Sequence, residues 1–471
     1  LAAAVPAIVT DLGGFTQFPW LFSIYLLAQA VSVPIYGKLA DSVGRKPVML
    51  TGIGLFLLGS VLCGVAWSMP LLIAARAVQG LGAGATLPMS MTIVGDIYTV
   101  EERARVQGFI ASVWGMASIV GPTLGGLFSE YVSWRWIFFV NLPVGAFATV
   151  MLVRHLHENV ERRRHRIDYA GAGLLAVGGS LLVLALLQGG HSWAWDSTQS
   201  LVLLGVSAAA LVAFPFVERR AAEPILPLWI FRHRITNGGN AVGLLVGAIL
   251  IGLTSYVPTF AQGVLGFGAL LSGFALAAMT IGWPLAAATA GRLYMRLGFR
   301  DTSLIGVAFI IAGGLLLLTI DEGSSLWLVA AYTFVVGVGL GYTASPTLVA
   351  VQSVVGWQSR GVVTGANMFA RSVGSAVGVA VFGAIANASL AHRFAHPPAV
   401  ASGRLPKTAD DAALVLDPHS GVSDSVRQFV RTALTTATHH VFIGVAILAV
   451  SMLAAVLLMP RHTESLEADA G

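Results

Sequence analysis

The chain has 471 residues, of which 56% are hydrophobic and only 10% are charged. A soluble domain carries roughly 25% charged residues, so this composition excludes a water-soluble globular protein and indicates a chain that lies mostly in lipid. The net charge of +5 is attributed to basic loops at a membrane face and does not indicate nucleic-acid binding.

Long apolar runs recur along the sequence. A helix needs about 20 apolar residues to cross the hydrocarbon core of a bilayer. The apolar start, residues 1–9, is too short to span and lacks the basic flank and cleavage site of a signal peptide, so it is interpreted as the last half of span 1. Thirteen further runs are predicted to be spans 2 to 14, and they cover residues 18–39, 48–69, 71–95, 106–128, 136–154, 170–189, 201–217, 236–260, 270–292, 303–320, 326–350, 361–387 and 437–459.

The distribution of basic residues predicts the orientation of these spans. Lysine and arginine collect in the cytoplasmic loops of membrane proteins. If span 1 ends on the outer side, 19 of the 27 lysines and arginines lie in cytoplasmic loops, six lie in outer loops, and Arg76 and Arg371 lie within spans. The loop between spans 2 and 3 is therefore predicted to be cytoplasmic.

That loop has the sequence 37-GKLADSVGRK-46, and we call it the charged turn. Its glycines allow a tight turn and close backbone passage, and its charges can contact lipid headgroups or pair with acidic residues of neighbouring loops. Asp96, at the end of span 4, is the candidate partner. An ion pair here would hold the outward-facing state and break when the inner side opens, whereas the alternative is an ordinary solvated loop. The predicted gating residues are Gly37, Asp41, Gly44, Arg45, Lys46 and Asp96.

Span 4 contains a charge inside an apolar run. An isolated arginine within a spanning helix costs at least about 2.5–3.5 kcal/mol. Gln79 follows Arg76 at the i+3 position and lies on roughly the same helix face, which must meet water or polar partners. The alternative is an arginine that extends its side chain to the nearby outer interface.

Span 5 combines a proline with several glycines. Glycines allow close packing on a neighbouring helix, and a proline kinks a helix because it removes a backbone donor. The residues concerned are Gly121, Pro122, Gly125 and Gly126, and small-residue packing without a special role is one interpretation of them.

Weak internal repetition indicates two halves. Three positions of the charged turn recur 254 residues later as Gly291, Leu293 and Gly298, and internal repeats are common in secondary transporters. Between spans 13 and 14, on the outer side, residues 424–442 have helical spacing and are predicted to extend span 14 outward. The predicted domains are a six-helix bundle at 1–157, an inserted helix pair with cytoplasmic linkers at 158–235, a second six-helix bundle at 236–459 with an outer loop at 388–436, and a cytoplasmic tail at 460–471.

Polar side chains recur at helical spacing on spans 2 and 13, and an aromatic residue on span 5 adds a further surface. Such stripes predict the walls of a cavity. The alternatives are core packing for the aromatic residues and, for the arginine of span 13, bonds to carbonyl groups between helices. The predicted cavity-lining residues are Tyr25, Gln29, Trp114, Asn367 and Arg371.

Four motifs taken together resemble a known family. They are the charged turn, 76-RAVQGLGAG-84 in span 4, 117-ASIVGPTLGG-126 in span 5 and 134-WRWIFFVNLP-143 between spans 5 and 6. This set resembles the major facilitator superfamily and, within it, the 14-helix drug:proton antiporter branch. The resemblance implies an all-α, polytopic membrane protein with two six-helix bundles plus two inserted helices.

The same resemblance implies a function. It implies a monomeric secondary exporter of small amphipathic, drug-like compounds in the bacterial cytoplasmic membrane, driven by proton antiport through alternating access. It links Arg76 and Gln79 to proton coupling. It also implies that the glycines and proline of span 5, Gly121, Pro122, Gly125 and Gly126, form a hinge that favours export. The family's span 1 aspartate would fall before Leu1, and in the sequence given every acidic residue lies in a loop or at a helix end.

Other functional classes find less support in the sequence. The chain lacks the phosphate-binding pattern of an ATP-driven pump, and no catalytic triad, metal cluster or cofactor motif is apparent, so an enzyme is not expected. Two alternatives stay open: export of an endogenous lipid or metabolite, and a membrane receptor or scaffold without transport.

Overall fold

The computed structural model describes residues 4–13, 17, 20–158, 168–189, 193–221, 224–395 and 424–461. Within these ranges the chain is almost entirely α-helical, and it forms no β-strand. The helices are α1 (Val5–Leu12), α2 (Trp20–Val43), α3 (Arg45–Gly64), α4 (Met69–Ile97), α5 (Val100–Tyr131), α6 (Trp136–Phe139), α7 (Asn141–His155), α8 (Tyr169–Gln188), α9 (Thr198–Glu218), α10 (Arg234–Gly263), α11 (Ala269–Leu297), α12 (Phe299–Leu317), α13 (Leu326–Ser353), α14 (Trp357–Phe394) and α15 (Asp424–Leu457), with a short 3₁₀ helix at Leu228–Arg232.

The predicted apolar runs coincide with helices. Eleven segments of the described chain are long and apolar enough to cross a membrane, α6 and α7 forming one of them together. The remaining long helices, α4 and α5, have 29 and 32 residues. At 1.5 Å per residue they extend about 44 and 48 Å, more than the thickness of the hydrocarbon core. The short apolar start forms the eight-residue helix α1.

The helices pack in two groups that meet along two seams. Helices α2, α3, α4 and α7 pack together near the start of the chain, and α10 to α15 surround the largest buried apolar cluster. Helix α5 lies against α11 and α13, and α14 lies against α2 and α4. Helices α8 and α9 pack on each other, and α8 also contacts α2 and α14. This packing agrees with two bundles and an inserted pair, although the exact domain limits stay a prediction.

The long outer segment is helical at both ends. Helix α15 runs without interruption from Asp424, so the predicted outward extension of span 14 is confirmed. Helix α14 continues to Phe394 because the sequence 384–394 contains no glycine or proline to interrupt it, which makes the connecting loop shorter than the predicted 388–436. Residues 396–423, most of the linker 158–168 and most of the tail 460–471 lie outside the described residues.

The same sharp turn recurs at the predicted repeat. Gly44 has φ 100° and Gly298 has φ 86°, a backbone region that side chains with a Cβ rarely adopt. Each glycine stands directly before a helix, α3 and α12 respectively. The Gly44 N–H donates to the Ala40 carbonyl at 3.0 Å, and the Gly298 N–H donates to the Tyr294 carbonyl at 2.9 Å. The repeated glycine thus corresponds to a repeated helix–turn–helix corner. We call the end of the molecule that carries residues 37–46 the charged-turn end.

Replacement of the turn glycine is expected to destabilise the fold. Gly44→Ala introduces a Cβ at a backbone conformation that costs about 1–3 kcal/mol for residues other than glycine. The thermal midpoint of the purified protein should fall. Gly54→Ala is the matched control, because Gly54 lies in α3 and a Cβ there meets nothing within 4 Å. Equal midpoints for the two variants would contradict the assignment of strain to Gly44.

Candidate functional site

A cavity of about 1130 Å³ lies in the interior, between α2, α4 and α5 on one side and α10, α11, α13 and α14 on the other. Binding sites for small molecules commonly have volumes of about 300–1,000 Å³, so this cavity can hold a drug-sized ligand. Its walls are mainly apolar, and the side chains that line them include Leu26, Leu87, Met91, Val246, Met279 and Leu348.

The cavity is open away from the charged turn. Its lining reaches Glu130 and Tyr131 in the last turn of α5, and both residues are exposed there. Of the predicted wall residues, Gln29, Asn367 and Arg371 line the cavity. The side chain of the fourth candidate, Trp114, lies outside the described side chains.

A buried ionic network closes the charged-turn end. Arg45 lies at its centre and is only 1% exposed. Its Nε donates to Asp96 Oδ2 at 2.9 Å, and its Nη2 lies 3.0 Å from Asp41 Oδ1. The guanidinium also donates to the carbonyls of Ala40 and Trp357, and its Cζ lies 3.7 Å from the centroid of the Trp357 ring. The predicted pairing of the charged turn with Asp96 is therefore present in this conformation.

The network joins the two groups of helices. The carboxylate of Asp41 accepts hydrogen bonds from the backbone N–H groups of Gly361 at 2.8 Å and Val362 at 2.7 Å, near the start of α14. Asp96 Oδ1 accepts a bond from Arg360 Nη1 at 3.2 Å. The N-terminal end of a helix carries a partial positive charge, which favours the Asp41 carboxylate at this place. Both acids thus bind across the seam between α2, α4 and α14.

Gly37 allows this seam to close. A Cβ added to Gly37 would lie 2.6 Å from the carbonyl oxygen of Gly361, which is closer than van der Waals contact permits. The backbones of α2 and α14 therefore touch at this crossing, and the glycine spacing of the charged turn has a direct steric cause.

Lys46 lies apart from the network. Its Nζ donates to the carbonyls of Val153 at 3.0 Å and Leu156 at 2.7 Å, at the C-terminal end of α7, where a cation is favoured. Glu158 accepts hydrogen bonds from the backbone N–H groups of Arg45 and Lys46 at 2.8 and 2.9 Å and so caps α3. The structure assigns Lys46 to the corner between α3 and α7.

Arg76 sits within a polar cluster in the first group of helices. Its Nη1 donates to Gln79 Oε1 at 2.6 Å, and its Nε donates to the Leu21 carbonyl at 3.0 Å. The guanidinium lies over the Tyr25 ring at 4.0 Å, and Gln79 Nε2 donates onward to Ser60 Oγ at 2.8 Å. Tyr25 therefore packs against Arg76 and is not among the residues that line the cavity. The sequence spacing predicted that Arg76 and Gln79 share a helix face, and in the structure the two side chains form a hydrogen bond.

The predicted hinge of span 5 lies in one continuous helix, α5. A Cβ on Gly121 would meet nothing within 4 Å, Gly125 is buried, and the side-chain surroundings of Pro122 and Gly126 are not described. The close approach of α5 to α11 occurs at other glycines: a Cβ on Gly108 would lie 2.7 Å from Ala288 Cβ. Among the glycines of α5 whose neighbours are described, the tightest contact with α11 is thus at Gly108, near the charged-turn end.

Sequence reasoning missed several partners. Arg360, Trp357 and Glu158 contribute to the closed end. One signal pointed to Arg360, because it is the single basic residue between spans 12 and 13. Nothing in the local sequence indicated Trp357 or Glu158.

Comparisons with known proteins agree with this arrangement. A family model described as the Major Facilitator Superfamily matches residues 1–379. The chain is 36% identical over 388 residues to the multidrug transporter protein MdtP of Bacillus subtilis, covering 82% of this chain and 72% of that protein. It is 36% identical over 385 residues to multidrug resistance protein 3 of the same organism, covering 82% and 75% of the two chains.

Two further similarities extend over more of the chain. An uncharacterised MFS-type transporter of Mycobacterium tuberculosis is 32% identical over 468 residues, which is 99% of this chain and 68% of that protein. The crystal structure of the human organic anion transporter MFSD10 (TETRAN) superposes with a TM-score of 0.56 and covers 91% of this chain and 83% of that one. At 16% identity, this last likeness concerns the fold alone.

Neutralisation of Asp41 is expected to open the charged-turn end. The amide of Asp41→Asn presents an N–H₂ group to one of the two backbone donors of α14 and leaves Arg45 undercompensated, and removal of one partner from a buried ionic network costs about 3–5 kcal/mol. A cysteine is placed at Met91, which lines the cavity, and Cys63 is replaced by Ser. With an impermeant thiol reagent added on the charged-turn side, this cysteine should react at least about tenfold faster in Asp41→Asn than in the protein that retains Asp41.

Asp321→Asn is the control for this measurement. Asp321 is exposed at the other end of the molecule, and its carboxylate accepts hydrogen bonds from Ser324 and Gly323 nearby. An unchanged labelling rate in Asp41→Asn, equal to that of the control, would show that the network does not hold this end closed.

Proposed function

Because this chain belongs to the major facilitator superfamily, and is thus a multi-pass membrane transporter rather than an enzyme, we propose that it exports amphipathic drug-like compounds by proton antiport. The observation that carries this proposal is the large, mainly apolar cavity, which is closed at one end by charges that bind across the two groups of helices. The names of its two relatives in Bacillus subtilis, a multidrug transporter and a multidrug resistance protein, support export of drugs.

The proposed transport cycle is alternating access. The excess of basic residues assigns the charged-turn end to the cytoplasm. The cavity in this conformation then faces outward, where a substrate would leave. Opening of the inner side requires Asp41 to leave the start of α14 and Asp96 to leave Arg360. We propose that substrate and proton binding supply the free energy that separates these groups.

Proton coupling is proposed to run through Arg76. Its guanidinium contacts a carbonyl group, an amide and the Tyr25 ring, so it can redirect donors toward a carboxylate that approaches from span 1. An adjacent cation favours the ionised form of such a carboxylate, and separation of the two lets the acid take up a proton. We place the protein in the cytoplasmic membrane of a bacterium, as a monomer that needs no cofactor and binds no nucleic acid.

Energised inverted membrane vesicles test this function. With the full-length protein, a proton gradient should drive uptake of several amphipathic compounds from a chemically diverse panel, and an uncoupler should abolish it. Uptake restricted to one endogenous lipid or metabolite would support the narrower exporter. The complete absence of gradient-dependent movement would contradict transport and would favour a receptor or scaffold.

Arg76 variants test the coupling. Arg76→Ala removes the charge and should abolish substrate-induced proton flux in proteoliposomes, whereas Arg76→Lys keeps the charge and should retain part of it. The control is Arg393→Ala, because Arg393 is exposed near the end of α14 and its guanidinium bonds to Thr436 Oγ1. Strong proton flux in Arg76→Ala would remove this arginine from the mechanism.

A further inference from the structure

Arg371 is the one basic side chain among the described residues that line the cavity. It lies fourteen residues after the start of α14, which places it about 21 Å along the helix from the closed end. A charge at such a depth is costly, and charged residues at these places nearly always face a water-filled cavity or a partner. Its position therefore calls for an account of what balances the charge.

Within the described part of the chain, no hydrogen bond or ion pair is made by the Arg371 guanidinium. Its contact is with an aromatic ring: the Arg371 Cζ lies 5.1 Å from the centroid of Trp283 on α11. A cation over an aromatic face is stabilised by about 0.5–2 kcal/mol, which offsets only part of the cost of burial. Five N–H donors of the guanidinium consequently remain available toward the cavity.

Two other arginines of the helix interior are compensated by protein groups. Arg45 has two carboxylates and two carbonyls, and Arg76 has a carbonyl, an amide and a ring. Arg371 differs from both because no described protein group accepts a hydrogen bond from its guanidinium, which lines the cavity. Among the described lining residues, the one carboxylate is that of Glu130, which is exposed at the mouth of the cavity.

From this contrast we infer that Arg371 binds the anionic group of the substrate, and that the preferred substrates are amphipathic monoanions. This inference rests on the proposed export function and names its substrate class. A carboxylate or sulfonate accepts two parallel, charge-assisted N–H bonds from a guanidinium, whereas a neutral group lacks the opposite charge and a cationic group is repelled.

The neighbouring side chains fit the rest of such a molecule. Ser372, Ser375, Asn367 and Thr280 provide polar groups near the cavity wall at this level. All four are partly committed, because the Asn367 amide donates to the Gly239 carbonyl at 2.8 Å and each of the three hydroxyls also donates to a backbone carbonyl. The apolar walls and Trp283, which also lines the cavity, would contact the hydrophobic body of the anion.

A pair of matched probes tests the inference. A dansyl-labelled long-chain fatty acid and its methyl ester share one hydrophobic body and differ in a single negative charge. In nanodiscs of neutral phosphatidylcholine, so that the lipid supplies no competing anion, the full-length protein should bind the acid at least about tenfold more tightly than the ester. A preference for the ester, or equal affinity for both, would overturn the inference.

Arg371 variants assign that preference to the guanidinium. Arg371→Gln should weaken binding of the acid about tenfold or more and leave binding of the ester unchanged, and the ester also reports that the cavity is folded. Arg371→Lys should retain part of the preference, since it keeps the charge and loses the bidentate geometry. Arg393→Gln should behave as the parent. A full preference for the acid in Arg371→Gln would contradict the role given to this residue.

Failure of this inference is distinguishable from failure of the export function. If vesicles export neutral or cationic compounds and the acid shows no binding advantage, the substrate class is wrong and export stands. If the charge-dependent binding is found but no panel compound moves under a gradient, the anion site stands and export fails. Should Arg371→Gln not fold, the comparison of acid and ester in the parent and in Arg371→Lys still decides the matter.

Discussion

The network around Arg45 is the interaction on which the described conformation depends. A guanidinium that is 1% exposed must have its charge balanced at close range, because an isolated buried ion costs several kcal/mol. Asp41 and Asp96 provide that balance, and each also binds a group of α14. The two acids are therefore fully satisfied only when both groups of helices meet, so the electrostatic requirement of one side chain is converted into closure of one end of the molecule.

Closure at one end determines the shape of the rest of the interior. Because α2 and α14 touch at Gly37 and Gly361, the helices can diverge toward the other end and leave a cavity of about 1130 Å³ between them. The polarity of the cavity wall is set by the helix faces that point inward. These faces are apolar apart from a few amides and hydroxyls, the guanidinium of Arg371 and, at the mouth, the carboxylate of Glu130. The two intramembrane arginines thus have different surroundings: Arg76 is held within one group of helices, whereas Arg371 faces the space between the groups.

The repeated corner connects sequence repetition to this arrangement. Gly44 and Gly298 share a positive φ and a position directly before a helix, and they stand 254 residues apart. The charges around the two corners differ, however. The first corner carries Asp41 and Arg45 and takes part in the closed end, whereas Asp301 beside the second lies 3.4 Å from Arg461 near the end of the described chain. Duplication of a backbone feature has therefore not duplicated the ionic contact.

Much of the architecture was determined by the sequence alone. A segment that crosses lipid must form its backbone hydrogen bonds internally, as a helix, and its side chains must be mostly apolar, so each span is visible as a continuous apolar run. Each predicted run from 18–39 to 437–459 overlaps a helix, and local spacing was sufficient to place Arg76 beside Gln79 and to identify the turn at Gly44. Contacts between residues distant in the chain could not be read in this way. Only the tertiary structure decided that Asp96 meets Arg360, 264 residues away, that Tyr25 packs under Arg76 and that Arg371 lies beside Trp283, because these pairs depend on how separate helices are rotated and packed.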